Sequence, residues 1–217
     1  IDGNGLSLGY GCRGVMEFEI SMKGKSEHSA KSRANPLYDA FIQFFSNLQV
    51  NAEQTNDLLL GKTSLNIARL ELGTRQDNGQ FLSTGNKTPA ELFALIEART
   101  MSDFTWNTVI NNIDKQNSLI QIKKKLDERG FCSSKTDLHP FISAMRFVLE
   151  KEAYLDPSTF GYLDVAMLAD VYPNSTITSF GAGAPNQAHA PNEYVLIRDL
   201  TKAVLYYEHI ISKLCHI

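Results

Sequence analysis

The chemistry open to this chain rests on five histidines and a few carboxylates, amides and arginines. His28 stands in Gly24-Lys25-Ser26-Glu27-His28-Ser29-Ala30, between polar neighbours. An imidazole in that setting is either a solvated surface group or one that polarises a carbonyl and donates to a developing oxyanion. His189 stands in a Gly-, Ala- and Pro-rich loop that runs from Gly181 to Glu193, after the apolar end of Ser175-Thr176-Ile177-Thr178-Ser179-Phe180. A loop that follows a buried strand can present a ligand from a rigid scaffold, and it can equally hold an ordinary histidine. Asp2, in Asp2-Gly3-Asn4-Gly5, has the signature of a turn aspartate. Asn86 precedes Lys87-Thr88-Pro89 and has the setting of a turn amide. Arg99 closes an alternating apolar stretch. A guanidinium there can clamp a carboxylate bidentately or join a surface ion pair. His139, His209 and His216 form no H-x-D pair and no H-E-x-x-H arrangement. Gly181-Ala182-Gly183 is too short a signal for a phosphate loop.

The elements that must position these residues follow from periodicity. Residues 15–23 alternate in part and end at Gly24, which predicts a strand. Pro36 opens an amphipathic helix to Leu48, with Leu37, Phe41, Phe44, Phe45 and Leu48 on one face. Residues 63–72 predict a strand through Leu65, Ile67, Leu70 and Leu72, ended by Gly73, and Asp77-Asn78-Gly79 predicts a turn. Residues 90–99 form the next strand, Ser102 or Asp103 caps a helix to about Asp114, and residues 118–126 form a fourth strand. The order strand, helix, strand, strand, helix, strand predicts an α+β fold: a ferredoxin-like βαββαβ domain over residues 14–126. Beyond Arg129 the spacing predicts helices over 138–152, 161–171 and 195–214, with one short buried strand at 175–180. One strand makes no stable sheet, so this mainly helical region expects strands from elsewhere.

Composition narrows the classes. The chain is 43% hydrophobic and 21% charged, which is globular rather than disordered. Net charge is −3, and the one basic cluster, Lys123-Lys124-Lys125, is followed by Asp127 and Glu128, so nucleic acid is not an expected partner. No apolar run suggests a membrane span, and the polar, Gly-rich opening has no signal-peptide pattern. Three scattered cysteines, Cys12, Cys132 and Cys215, fit a reducing cytoplasm.

Three blocks in order carry a resemblance. The first is Gly11-Cys12-Arg13-Gly14, a strand, Gly24 to Ala30 around His28, then Asn35-Pro36. The second is Gly73-Thr74, then Asn86-Lys87-Thr88-Pro89-Ala90-Glu91-Leu92, ending at Arg99. The third is Tyr162-Leu163-Asp164, Phe180-Gly181-Ala182-Gly183 and His189-Ala190-Pro191-Asn192-Glu193. Together they resemble the zinc metallopeptidase and amidohydrolase family of acetylornithine deacetylase, succinyl-diaminopimelate desuccinylase and carboxypeptidase G. The resemblance implies a chain in three parts: 1–13 as the end of a first catalytic-domain segment, 14–128 as the lid and dimerisation domain, and 129–217 as the C-terminal segment of an α/β zinc-hydrolase catalytic domain. It implies a pair of Zn2+ ions per complete site, with Co2+ able to stand in. It makes His189 and Asp2 metal ligands, His28 the catalytic oxyanion donor, and Asn86 and Arg99 substrate-binding groups. It also implies a homodimer through the lid, with the lid histidine reaching the partner's site, and a small N-acylated amino acid or peptide as substrate. Two departures stand out. The connection from Gly73 to Asn86 is longer than the family's, and Leu163 stands where a Ser or Thr is usual.

The family's first metal segment, with its His-x-Asp pair and its Glu-Glu pair, has no counterpart here, and the chain opens on Ile1. The expectation is therefore a piece of a zinc-dependent amide hydrolase, inactive without that segment. The competing expectation is a non-catalytic dimerisation module descended from such an enzyme.

Overall fold

The computed structural model describes residues 6–31, 35–82, 85–113, 119–134, 136–145, 154–155, 161–183, 187 and 190–215. In chain order the elements are β1 (Leu8–Gly9), β2 (Gly11–Cys12), β3 (Gly14–Lys23), α1 (Pro36–Gln54), β4 (Ser64–Arg75), β5 (Phe81–Leu82), β6 (Glu91–Thr100), α2 (Trp106–Asn111), β7 (Ile120–Glu128), β8 (Phe131–Cys132), α3 (His139–Met145), β9 (Tyr154–Leu155), α4 (Ala166–Val171) and α5 (Ile197–Cys215). The chain divides into two compact units, Gly14–Gly130 and the remainder.

The Gly14–Gly130 unit holds a five-stranded antiparallel sheet in the order β5-β4-β6-β3-β7. Without the short β5, the order is that of a ferredoxin-like sheet, as the alternation predicts. The central ladder pairs Gly14 with Thr100 at one end and Lys23 with Glu91 at the other. Met16, Phe18, Ile20 and Met22 of β3 and Leu92, Ala94, Ile96 and Ala98 of β6 are buried on one face. Helix α1 covers that face with Leu37, Phe41, Phe44, Phe45 and Leu48. Asn35 caps the helix, its Oδ1 accepting from the Leu37 N–H at 3.1 Å, and Pro36 fills the first turn, where no N–H is needed.

Strand β4 carries a β-bulge between Ile67 and Arg69. The extra residue, Ala68, explains the spacing of the apolar positions: Leu65 faces Ala98, Ile67 faces Ile96, Leu70 faces Ala94 and Leu72 faces Leu92. A second bulge falls between Glu17 and Phe18 on the β3–β7 side. It breaks up the lysine run. Lys124 lies over the Trp106 ring, 5.4 Å from its centroid, and pairs with Asp127 at 3.1 Å, while Lys125 pairs with Glu19 at 3.2 Å.

Several sequence expectations are corrected. Strand β4 does not stop at Gly73 but runs on to Arg75, because β5 pairs with its end. A Cβ at Gly73 would collide with the Leu82 carbonyl, so glycine marks a close approach rather than a strand end. The predicted turn at Asp77-Asn78-Gly79 is present, with Gly79 at φ +84 and the Gln80 N–H bonded to the Asn78 side chain at 3.0 Å. The second helix is shorter than predicted and starts later, capped by Thr105, whose N–H bonds the Thr108 hydroxyl at 3.2 Å. Its predicted end at Asp114 lies outside the described residues.

The second unit is built from β1, β2, β8, β9 and the remaining helices. Strands β1 and β9 pair in parallel, and β2 pairs with β8. The predicted strand at 175–180 is reduced to one bridge, Ser179 to Gly9. The Ile177 backbone is bound by the Ser133 hydroxyl instead, and the Thr178 hydroxyl bonds the Gly9 carbonyl. The predicted helix at 161–171 begins only at Ala166, and that at 138–152 is described only to Met145. Helix α5 fully buries only Ala203 and Ile210, whereas Val204, Leu205 and Ile211 stay more than half exposed.

Two measurements follow. Replacing Phe18, fully buried in the sheet, by Ala costs about 3–5 kcal/mol in urea unfolding, whereas Leu58→Ala, at a fully exposed turn, changes stability by about 0.5 kcal/mol or less. Burial raises the Cys12 thiol above its usual pKa, so at neutral pH it stays protonated as well as enclosed. Iodoacetamide should label exposed Cys132 and Cys215 in the folded chain and Cys12 only after unfolding, read by peptide mass.

Candidate functional site

The antiparallel register of β3 and β6 decides which loops meet. Lys23 pairs with Glu91, so the segment after β3 and the segment before β6 leave the sheet side by side. The two segments then bond to each other beyond the sheet. The Gly24 N–H donates to the Ala90 carbonyl at 2.8 Å, and the Thr88 N–H donates to the Glu27 carbonyl at 2.7 Å. The Ser29 N–H donates to the Asn86 carbonyl at 2.7 Å. Side chains add to this. The Ser26 hydroxyl donates to the Thr88 carbonyl at 2.8 Å, and the Glu27 N–H donates to the Thr88 hydroxyl at 2.9 Å. The outcome is an isolated bridge between His28 and Lys87, with His28 and Asn86 as exposed neighbours.

The His28 ring is oriented by its own turn. Its Nδ1 accepts from the Ala30 N–H at 3.2 Å, and its carbonyl accepts from the Lys31 N–H at 2.8 Å. With Nδ1 as acceptor, the neutral ring carries its proton on Nε2 and presents an N–H donor. Such a donor can bind a carbonyl oxygen or an oxyanion.

Arg99 is elsewhere. It pairs with Val15 and Ser64 at the far end of β6 from Glu91, on the face opposite the helices. At a strand rise of about 3.3 Å per residue it is about 26 Å from the His28 end. His28 and Asn86 are thus brought together, and Arg99 is not joined to them within one copy of the unit. Asp2 and His189 lie outside the described residues. Among the described residues, the Leu6 N–H bonds the Gly181 carbonyl at 3.1 Å, the Ala190 N–H bonds the Gln187 carbonyl at 3.0 Å and the Glu193 N–H bonds the Ala190 carbonyl at 3.2 Å. Tyr207 of α5 donates to the Phe180 carbonyl and packs edge-on against its ring, holding the start of that loop. Partial burial raises the Tyr207 phenol.

Among the described residues no group of three or more His, Cys, Asp or Glu side chains could hold a metal ion. Sequence reasoning missed Ser26 and Thr88, which link the two loops. Neither belongs to a hydrophobic period, and their partners are distant in sequence, so no local pattern marks them.

A family model described as a peptidase dimerisation domain matches residues 10–123. No curated protein sequence matches the chain. Among solved structures, a metallo-carboxypeptidase of the M20 family from Sulfolobus solfataricus aligns at TM-score 0.73 and 17% identity, over 99% of this chain and 63% of that one. A tripeptidase from Staphylococcus aureus aligns at TM-score 0.70 and 13% identity, over 100% and 56%. Human carnosine dipeptidase 1 aligns at TM-score 0.60 and 12% identity, over 99% and 58%. At these identities the likeness is one of fold, and the chain spans less than two thirds of each of those proteins. The domain match covers more than half of the chain, and the antiparallel sheet under two helices agrees with it: the chain belongs to the M20 peptidase family and carries that family's dimerisation domain.

Proposed function

We propose that this chain forms part of a zinc-dependent amide hydrolase acting on small N-acylated amino acids or peptides, with acetylornithine-type deacylation as the leading activity. The observation that carries this reading is the pairing of His28 with Asn86: two exposed polar side chains from distant parts of the sequence, held together by the Ser29 to Asn86 bond at 2.7 Å. Nε2–H of His28 donates to the carbonyl oxygen of the scissile amide as it gains charge, and the Asn86 amide donates beside it. Arg99 holds the substrate carboxylate. The distance of about 26 Å along β6 separates Arg99 from His28 by more than the length of a small substrate. Two copies of the unit resolve this, with Arg99 serving one site and the His28–Asn86 pair of the other copy completing it, in a homodimer formed through Gly14–Gly130.

His189 and Asp2 are the chain's metal ligands in this reading, supported by the family likeness and by the bond from Leu6, which follows Asp2 in the chain, to Gly181, which precedes His189. Zinc, when bound, supplies a water nucleophile and polarises the amide. The remaining ligands and the general base come from a segment outside these residues. The exposed apolar side chains of α5, Val204, Leu205 and Ile211, support further chain packing on this unit. The enzyme works in the cytoplasm.

The reading is checked by assaying N-acetylornithine hydrolysis beside zinc content, for the 217-residue chain and for the longer enzyme that contains it. The chain alone should show neither. In the longer enzyme, His189→Ala should lose both, and His28→Ala should keep its zinc while turnover falls by roughly 10²–10³-fold. Turnover by the chain alone, or normal turnover in the His28→Ala enzyme, refutes the assignment. Light scattering at micromolar concentration should give a dimer mass, and a monomer would refute the shared site.

A further inference from the structure

We propose that Thr88 is a positioning residue that holds His28 and Asn86 as one donor pair; this deepens the preceding reading and rests on it. Little else fixes His28. It lies in an exposed segment between β3 and α1, outside any strand ladder, and its ring touches its own turn through the Ala30 N–H alone among the bonds described. A histidine on so open a loop has many ring orientations available. An oxyanion donor needs one, because a displacement of about 1 Å weakens the bond it must make.

Thr88 supplies the constraint through all of its polar groups. Its N–H donates to the Glu27 carbonyl at 2.7 Å, and its hydroxyl oxygen accepts from the Glu27 N–H at 2.9 Å. The same hydroxyl lies 3.3 Å from the Glu27 carbonyl, to which it donates. Its own carbonyl accepts the Ser26 hydroxyl at 2.8 Å. Three bonds thus tie Thr88 to Glu27, the residue immediately before His28, and a fourth ties it to Ser26. Thr88 is also two residues from Asn86, so the same residue sets where both donors emerge. Thr88 is half-buried, and Val has its shape without its hydroxyl, so Thr88→Val removes the hydroxyl bonds and little else. Pro89, which follows, fixes φ and keeps the Thr88 backbone extended, as the bridge at Lys87 requires.

The clamp makes a distinction that a purely structural bond would not. Removing it leaves both side chains and the whole core intact, since the core lies on the helix-facing side of the sheet. It should change how His28 and Asn86 present their donors, and so the transition state rather than the binding of substrate.

The test uses the full-length enzyme with N-acetylornithine as probe, in wild type, Thr88→Val, Thr88→Ser, His28→Ala and the Thr88→Val/His28→Ala double variant. Thr88→Val should lower kcat by roughly 10- to 100-fold with KM within about twofold. Thr88→Ser, which keeps the hydroxyl, should recover most of that loss. In the His28→Ala background, Thr88→Val should add less than about a twofold further loss, because the two residues act as a unit. A second readout needs no turnover. In alkaline buffer, nitrogen-15 NMR of His28 should show Nδ1 unprotonated and Nε2 protonated in wild type, and a tautomer mixture in Thr88→Val. The Ser29 amide should exchange with solvent faster in that variant. An undiminished kcat in Thr88→Val, an equal loss with and without His28, or unchanged NMR and exchange in Thr88→Val would each overturn the proposal. If His28→Ala alone leaves turnover intact, the hydrolase reading falls and the catalytic part of this role with it, while the NMR arm still decides whether Thr88 orders the ring.

Discussion

The ten-residue ladder between β3 and β6 is the constraint on which the rest of the Gly14–Gly130 unit depends. Every second residue of both strands is buried under α1 and α2, so the register has one hydrophobically acceptable value. A slip of one residue would turn Met16, Phe18, Ile20 and Met22 to the open face and bring Glu17 and Glu19 under the helices. The outer strands are then hung on the ladder, β4 on β6 and β7 on β3. The same register chooses what each end of the sheet displays. At the Lys23–Glu91 end it gathers His28, Asn86 and Thr88. At the Gly14–Thr100 end it leaves Arg99 beside Val15 and Ser64. The separation of the two groups is therefore a property of the ladder's length and not of any loop.

Much of this was legible in the residues because the signals are local. Asn35-Pro36 marks a helix start, Asp77-Asn78-Gly79 marks a turn, and alternation marks the strands. The step from Ile67 to Leu70 is one residue too long for a regular strand, and it corresponds to the bulge at Ala68. Most of the long connection from Gly73 to Asn86 is a hairpin made of the end of β4, the turn from Gln76 to Gln80 and the short β5. What was not legible depends on pairing at a distance. The two-residue strands β1, β2, β8 and β9 are too short to have a period, and they exist only as partners of one another. The segment at 175–180 has the composition of a strand, but the Ser133 hydroxyl bonds both the N–H and the carbonyl of Ile177, backbone groups that a ladder would have used. In the candidate site, His28 and Asn86 were recognisable by family likeness, whereas the hydroxyl of Thr88 shows its use only once Glu27 is seen across from it.

The two units handle their apolar surface differently. In Gly14–Gly130 most of the large apolar side chains of α1, Leu37, Phe41, Phe44, Phe45 and Leu48, are buried against the sheet, and Tyr38, Ile42 and Val50 are exposed. In the other unit α5 has the same length, yet large apolar residues lie on both its covered and its open faces. A helix with that distribution is ordinarily a buried one. Its two small strand pairs likewise have backbone edges that a larger sheet would use.

The two β-bulges share a level in the sheet. Ile67, beside the first, faces Ile96; Ile96 faces Phe18, which adjoins the second. A line through these residues crosses four strands, and each outer strand has one surplus residue along it, Ala68 and Lys125. Sheets coil more sharply where bulges sit, so this line is a crease. Deleting one surplus residue would straighten the crease on that side without changing which residues reach the core beyond it. Relatives whose outer strands are one residue shorter at these points can therefore keep every interior position, and a gap at 68 or 125 in an alignment records a difference in curvature between lids that are otherwise built alike.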